Sequence, residues 1–262
     1  MSGEIVRQLT PEEQELLRKR EELASVRSAL AERELELADL RAQLKSFEGR
    51  YMRQVGVLYA ELDEWEAKIT EIEASLKPSA TASRRAQEAR ARADETREAA
   101  HGEASKARDF QPSAELRSLF REAAKRLHPD FAKDEADRLL RTRLMAQAND
   151  AYSRGDAEAL QRILDEFGNS PESVQGEGVG AELVRIIRQI HQAKKNIAVI
   201  EQELKNLRAS EIAQLKHDAE AAQQDGRDLF AELAALVREQ IADVKKKHDI
   251  QDLEIEKHDR WP

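Results

Sequence analysis

The 262-residue chain contains no cysteine and only 4% aromatic residues, while 36% of its residues are charged. Without cysteine there is no disulfide framework, no thiolate-ligated zinc and no cysteine nucleophile. With so few aromatics and so many charges, the composition argues against one large globule and for long solvated helices joined along narrow apolar seams. No apolar run approaches the ~20 residues that a membrane span requires, and Met1 to Leu9 has no signal-peptide core. A soluble, cytoplasmic protein is therefore expected. The formal net charge of −9 disfavours general binding to nucleic acid, which needs a basic surface. The six histidines form no H-x-x-x-H or H-E-x-x-H pair, so neither a metal site nor catalysis is expected, and no cofactor is implied. Lys-His-Asp at 216–218, 247–249 and 257–259, and Lys245 to Lys247, read as solvated helix faces.

What the chain has in abundance is heptad order. From Leu9, apolar residues recur every seven positions through Leu16, Leu23, Leu30, Leu37, Leu44, Tyr51, Leu58, Trp65 and Ile72. The second stripe lies three residues later before Tyr51 (Val26, Leu40, Phe47) and four residues later after it (Val55, Leu62, Ile69, Leu76). That phase change is a stutter, and Gly49 and Gly56 flank it. Residues 1–76 are thus expected as an N-terminal coiled coil, whose helix from Leu9 to Leu76 would be about 100 Å long at 1.5 Å per residue. Lys77-Pro78-Ser79 ends it.

Residues 77–112 form an Ala/Arg/Glu-rich spacer with nothing large to bury. Gly168 to Gly180 reads as a flexible linker; its glycines lack the preceding strand and the lysine of a phosphate loop. A second seam in 181–262 starts at Leu183, Ile186, Ile190, Ala193, Ile197, Ile200, Leu204 and Leu207. It continues through Leu215, Ala222, Gly226, Leu229, Leu233 and Leu236, with a second stutter near Glu211. The two stutters lie at similar distances from the central segment. An antiparallel hairpin of the two coils is therefore expected, with a parallel pairing of two chains as the alternative.

The central segment, 113–167, carries the chemistry. Leu116, Leu119, Phe120, Ala123, Ala124 and Leu127 follow helical spacing, and Arg117, Arg121, Lys125 and Arg126 occupy the other side. Pro129 stops the helix and leaves His128 and Asp130 on a loop. A second helix carries Leu140, Leu144, Met145 and Ala148 and closes on Asn149-Asp150-Ala151-Tyr152. Gly155-Asp156 then breaks the chain ahead of a short helix with Leu160, Ile163, Leu164 and Phe167. From 115 to 143 there are eight Lys/Arg and six Asp/Glu, a local excess of two positive charges.

A basic helix ending in His-Pro-Asp, followed after a charged loop by a helix ending N-x-A-Y, resembles the J domain of DnaJ-type co-chaperones. The resemblance spans about 113–165. It implies docking on a DnaK-type chaperone ATPase through His128, Pro129 and Asp130, with Arg117, Arg121, Lys125 and Arg126 as the basic docking face. It implies no enzyme activity of the chain's own. The lack of a zinc module points to a class C type, whose coiled coils would bind a client or assembly and could form homo-oligomers. Two features depart from the family pattern. Only Phe110 stands where a first helix would be, and Phe131 follows the tripeptide where a basic residue is common. The rival expectation is a coiled-coil scaffold whose J-like segment serves packing alone.

Overall fold

The computed structural model describes residues 9–104, 110–168 and 178–260, with 103–104, 168 and 254–260 as backbone only. It is all-α, and no strand occurs among the described residues. Helix α1 (Pro11–Tyr51), a π-helical turn (Met52–Gly56) and α2 (Val57–Leu76) follow one another without a break, 66 residues in all. The π turn sits where the heptad phase changes. A π turn absorbs an extra residue, so Phe47 and Val55 both stay buried across a step that a regular helix would rotate out of the seam. The remaining helices are α3 (Ala80–Ala104), α4 (Ala114–Leu127), α5 (Glu135–Arg154), α6 (Ala157–Gly168), α7 (Val179–Arg208), α8 (Glu211–Gln224) and α9 (Leu229–Arg260).

The chain divides into two compact units. The first comprises 1–43 and 110–209. In it α1 buries two stripes. Leu16, Leu23, Leu30 and Leu37 meet Ile186, Ile190, Ala193, Ile200 and Leu204 of α7, while Ala31 and Leu35 meet α4, α5 and α6. The ion pairs Arg20 to Glu182 (2.7 Å), Arg33 to Glu201 (3.2 Å) and Arg208 to Glu36 rise together in number, so α1 and α7 run parallel.

The second unit comprises 44–109 and 210–262. Here α3 folds back on α2. Arg90 reaches Glu71 and Glu64 (both 2.8 Å), and Thr96 donates to Asp63 (2.7 Å). Ala86, Ala93 and Ala100, one per heptad, are buried. This corrects the expectation that the spacer has nothing to bury: alanines alone let two helix backbones approach closely, and flanking ion pairs fix the register. Helix α9 lies parallel to the N-terminal run, with Phe230 against Phe47 (rings 5.2 Å apart), Lys245 against Glu61 (2.8 Å) and Gln251 against Glu73 (3.2 Å).

The expected antiparallel pairing of the N- and C-terminal coils is therefore corrected in both units. The antiparallel return arm is α3, and the C-terminal helices run alongside the N-terminal ones. The second stutter is also corrected, because the C-terminal rod is interrupted there. Ser210 caps α8 by accepting from Ala213 N (3.4 Å), and Gly226 (φ 74°) with the Asp228 cap separates α8 from α9. The second break resets the phase, so Phe230, Ala234, Val237 and Ile241 are buried and Leu236 is exposed. Most of the expected linker, 169–177, lies outside the described residues, as do the side chains of Lys257-His258-Asp259.

Candidate functional site

Ser113 opens α4 by accepting from Leu116 N (3.0 Å). Leu116, Phe120, Ala123, Ala124 and Leu127 then face inward on successive turns. Pro129 cannot continue the helix, and residues 129–131 make a single 3₁₀ turn, with Phe131 N donating to the His128 carbonyl (3.1 Å). Asp134 caps α5 by accepting from Asp137 N (2.8 Å), and Asp137 accepts from Lys133 N (2.9 Å), a reciprocal cap. Arg141 ties the two helices by donating to Asp137 (2.8 Å) and to the Arg126 carbonyl (2.7 Å). With Phe120 against Tyr152 (rings 4.5 Å apart), these contacts make α4 and α5 antiparallel, with the His-Pro-Asp turn at one end. Gly155, at φ 73°, ends α5 in the left-handed conformation, and Asp156 caps α6.

The core of this segment is closed by α6, through Leu160, Ile163 and Leu164, and by α1, through Ala31 and Leu35. The place of a first helix is thus taken by a helix about eighty residues upstream in the chain. Tyr152 anchors the junction: it is fully buried, packs edge-on to Phe110 (5.6 Å), and donates its hydroxyl to Asp39 of α1 (2.6 Å). Burial and the neighbouring Asp39 carboxylate push the Tyr152 hydroxyl well above its ordinary pKa, so it stays a donor.

The tripeptide is covered in part, with His128 buried and Pro129 and Asp130 partly exposed. His128 is 4% exposed, with Nε2 3.3 Å from Glu34 Oε1 of α1, and its Nδ1 accepts from Asp130 N (3.2 Å). That network assigns the proton to Nε2, which donates to Glu34. Asp130 accepts from Asn196 Nδ2 of α7 (2.7 Å). Burial raises the Asp130 pKa, and the hydrogen bond from Asn196 opposes the rise. Phe131 plugs the α1/α7 seam among Leu23, Leu30 and Ile190, with the Arg27 guanidinium 4.3 Å above its ring. The basic face divides. Arg117 lies 3.2 Å from Asp39 and Arg121 3.2 Å from Glu32, both on α1, whereas Lys125 and Arg126 are exposed, Arg126 being 3.8 Å from Glu122.

The structure thus brings His128, Pro129, Asp130, Arg117 and Arg121 into one region and sets α1 and α7 over it. Sequence reasoning missed Glu32, Glu34, Asp39 and Asn196, the groups that meet the motif. One signal was available: Glu32, Glu36 and Asp39 recur at i, i+4 and i+7 on α1, an acidic face of the kind that the basic helix would seek in a partner, while Glu34 lies on another side of the helix. No helix among the described residues is long and apolar enough to cross a membrane. Comparison of the chain with known family models, with characterised proteins and with solved structures found no match.

Proposed function

We propose that this chain is a J-type co-chaperone of the class C kind, which docks on a DnaK-type ATPase through His128, Pro129 and Asp130 and stimulates ATP hydrolysis in the cytoplasm. The coiled coils hold the client or assembly. The observation that carries this reading is the antiparallel α4 and α5 pair, with Lys125 and Arg126 exposed on α4, joined by a short turn that bears the tripeptide. In the conformation described, α1 and α7 mask that turn, so docking requires their contacts to open. Those contacts are suited to opening: the bonds from Asn196 to Asp130 and from His128 to Glu34 are single hydrogen bonds, each worth roughly 0.5–3 kcal/mol depending on charge, and the arginine pairs are partly exposed and weak.

A second reading is favoured by the burial of His128: a coiled-coil scaffold in which the J-like segment serves packing alone. Single-turnover ATP hydrolysis by a DnaK-type protein separates the two. The co-chaperone reading expects stimulation by the Glu34→Ala, Asn196→Ala double variant above the wild-type level, and its loss when His128→Gln is added. Absence of stimulation in every variant, or stimulation indifferent to His128, would establish the scaffold reading.

A further inference from the structure

A cavity of about 500 Å³ opens in the first unit between α1, the turn after the tripeptide, α5, α6 and the start of α7. Its wall holds six cationic side chains and two carboxylates, in a chain whose net charge is −9. Both carboxylates are committed. Glu182 takes two hydrogen bonds from Arg20 (2.7 and 3.2 Å), and Asp137 is held by Arg141 and by the Lys133 amide.

Arg27 is different. It projects from α1 into the cavity wall half-buried, and its Nε is shut off from water without a hydrogen-bond partner. Its one described contact is the face of Phe131. Burial and the nearby Arg141 guanidinium both lower its pKa, so a positive charge is held where it costs free energy. An apolar side chain would relieve that cost. Arg185, one helix away, also lines the opening and is exposed.

We propose that this cavity binds a small molecule carrying a diphosphate group. Guanidinium groups match phosphate oxygens in paired, charge-assisted hydrogen bonds. Arg27 and Arg185 face the space from opposite helices and would grip the two phosphoryl groups, and the anion would relieve the repulsion between Arg27 and Arg141. Phe131 and Phe167, each with an arginine against its ring (4.3 and 4.8 Å), give the cavity apolar walls for an organic body. The volume suits a ligand of nucleotide size.

Isothermal titration calorimetry of the full chain with ADP and, separately, with inorganic pyrophosphate tests this. The expected result is saturable binding at one site per chain, weakened at least tenfold by Arg27→Gln and by Arg185→Gln and unchanged by Arg238→Gln, an exposed residue of α9. Circular dichroism checks that each variant folds. Arg185 is exposed, so its variant keeps the test decisive if the Arg27 variant does not fold. Tighter binding of ADP than of pyrophosphate assigns a role to the apolar walls, and equal binding assigns the diphosphate alone. The proposal is overturned by no saturable heat with either probe at millimolar concentration, or by affinity unchanged in both cavity variants. Preferential, Arg27-independent binding of an oligonucleotide would also overturn it.

Discussion

The two sides of the J-like segment are held by different physics. Its inner side is dry: Phe120, Leu127, Ala148, Tyr152 and Leu160 are fully buried, and α1 completes their enclosure with Ala31 and Leu35. The side that bears the tripeptide is covered by polar contacts from Glu34, Asn196, Asp39 and Glu32, with a single large apolar insertion, Phe131. A closely packed core opens only with the fold, whereas a polar cover with one plug can open alone. That difference is what makes a masked docking motif physically reasonable.

The largest effect should come from the dry side. Phe120→Ala removes a side chain with no exposure and should cost about 3–5 kcal/mol. In urea denaturation the whole first unit should lose stability. A loss confined to the turn would erase the distinction between the two sides.

Phe131→Ala should cost somewhat less, about 2–4 kcal/mol, and its effect should be local. Hydrogen exchange should accelerate at residues 130–132 and along the facing turns of α7, while amides of α4 keep their protection. Asn196→Ala should come next, at about 1–2 kcal/mol, because it leaves the partly buried Asp130 carboxylate without the Asn196 donor. The same exchange experiment reads it at the Asp130 amide.

The smallest change, Asp130→Asn, should have the opposite sign. Burial raises the Asp130 pKa in the folded state, so the folded chain binds a proton more readily than the unfolded chain. Stability is therefore lost as pH rises from the unfolded carboxylate pKa through the folded one. Asparagine carries no charge and can still accept from Asn196. The variant should be as stable as the wild type or more so near neutral pH, and the difference should shrink as pH falls into the carboxylate range. A variant less stable at neutral pH and equal in acid would reverse that sign.

Much of this architecture was legible in the sequence. The heptads located α1 and α2, and the change of phase at Tyr51 located the π turn to within a residue. Ser113, Pro129 and Gly155 marked the ends of α4 and α5. Three features were hidden. A heptad count finds one stripe per helix, so the second stripe of α1, built on Ala31, Leu35 and Ala38, was masked by the leucines beside it. A helix lined with alanine shows little hydrophobic contrast, so α3 read as a spacer, and without it the direction of the C-terminal helices came out reversed. Asp225-Gly226 and Asp228 spell a helix end and a new cap, but the apolar spacing on either side runs on through them. Of the candidate site, the motif and its basic helix were readable locally. Its cover was not, because Glu34 and Asn196 are ordinary solvated residues until the fold sets them over His128.

The tripeptide is expected to work only when its turn comes away from Glu34 of α1 and Asn196 of α7. Because the chain has no cysteine, an Ala132→Cys, Gln192→Cys pair, whose residues line one cleft between the turn and α7, can be bridged by a cleavable bis-maleimide without competing thiols. Single-turnover ATP hydrolysis by a DnaK-type protein is then measured with the bridged and the cleaved forms. The account expects stimulation by the cleaved form and little or none by the bridged form; equal stimulation by both would contradict it.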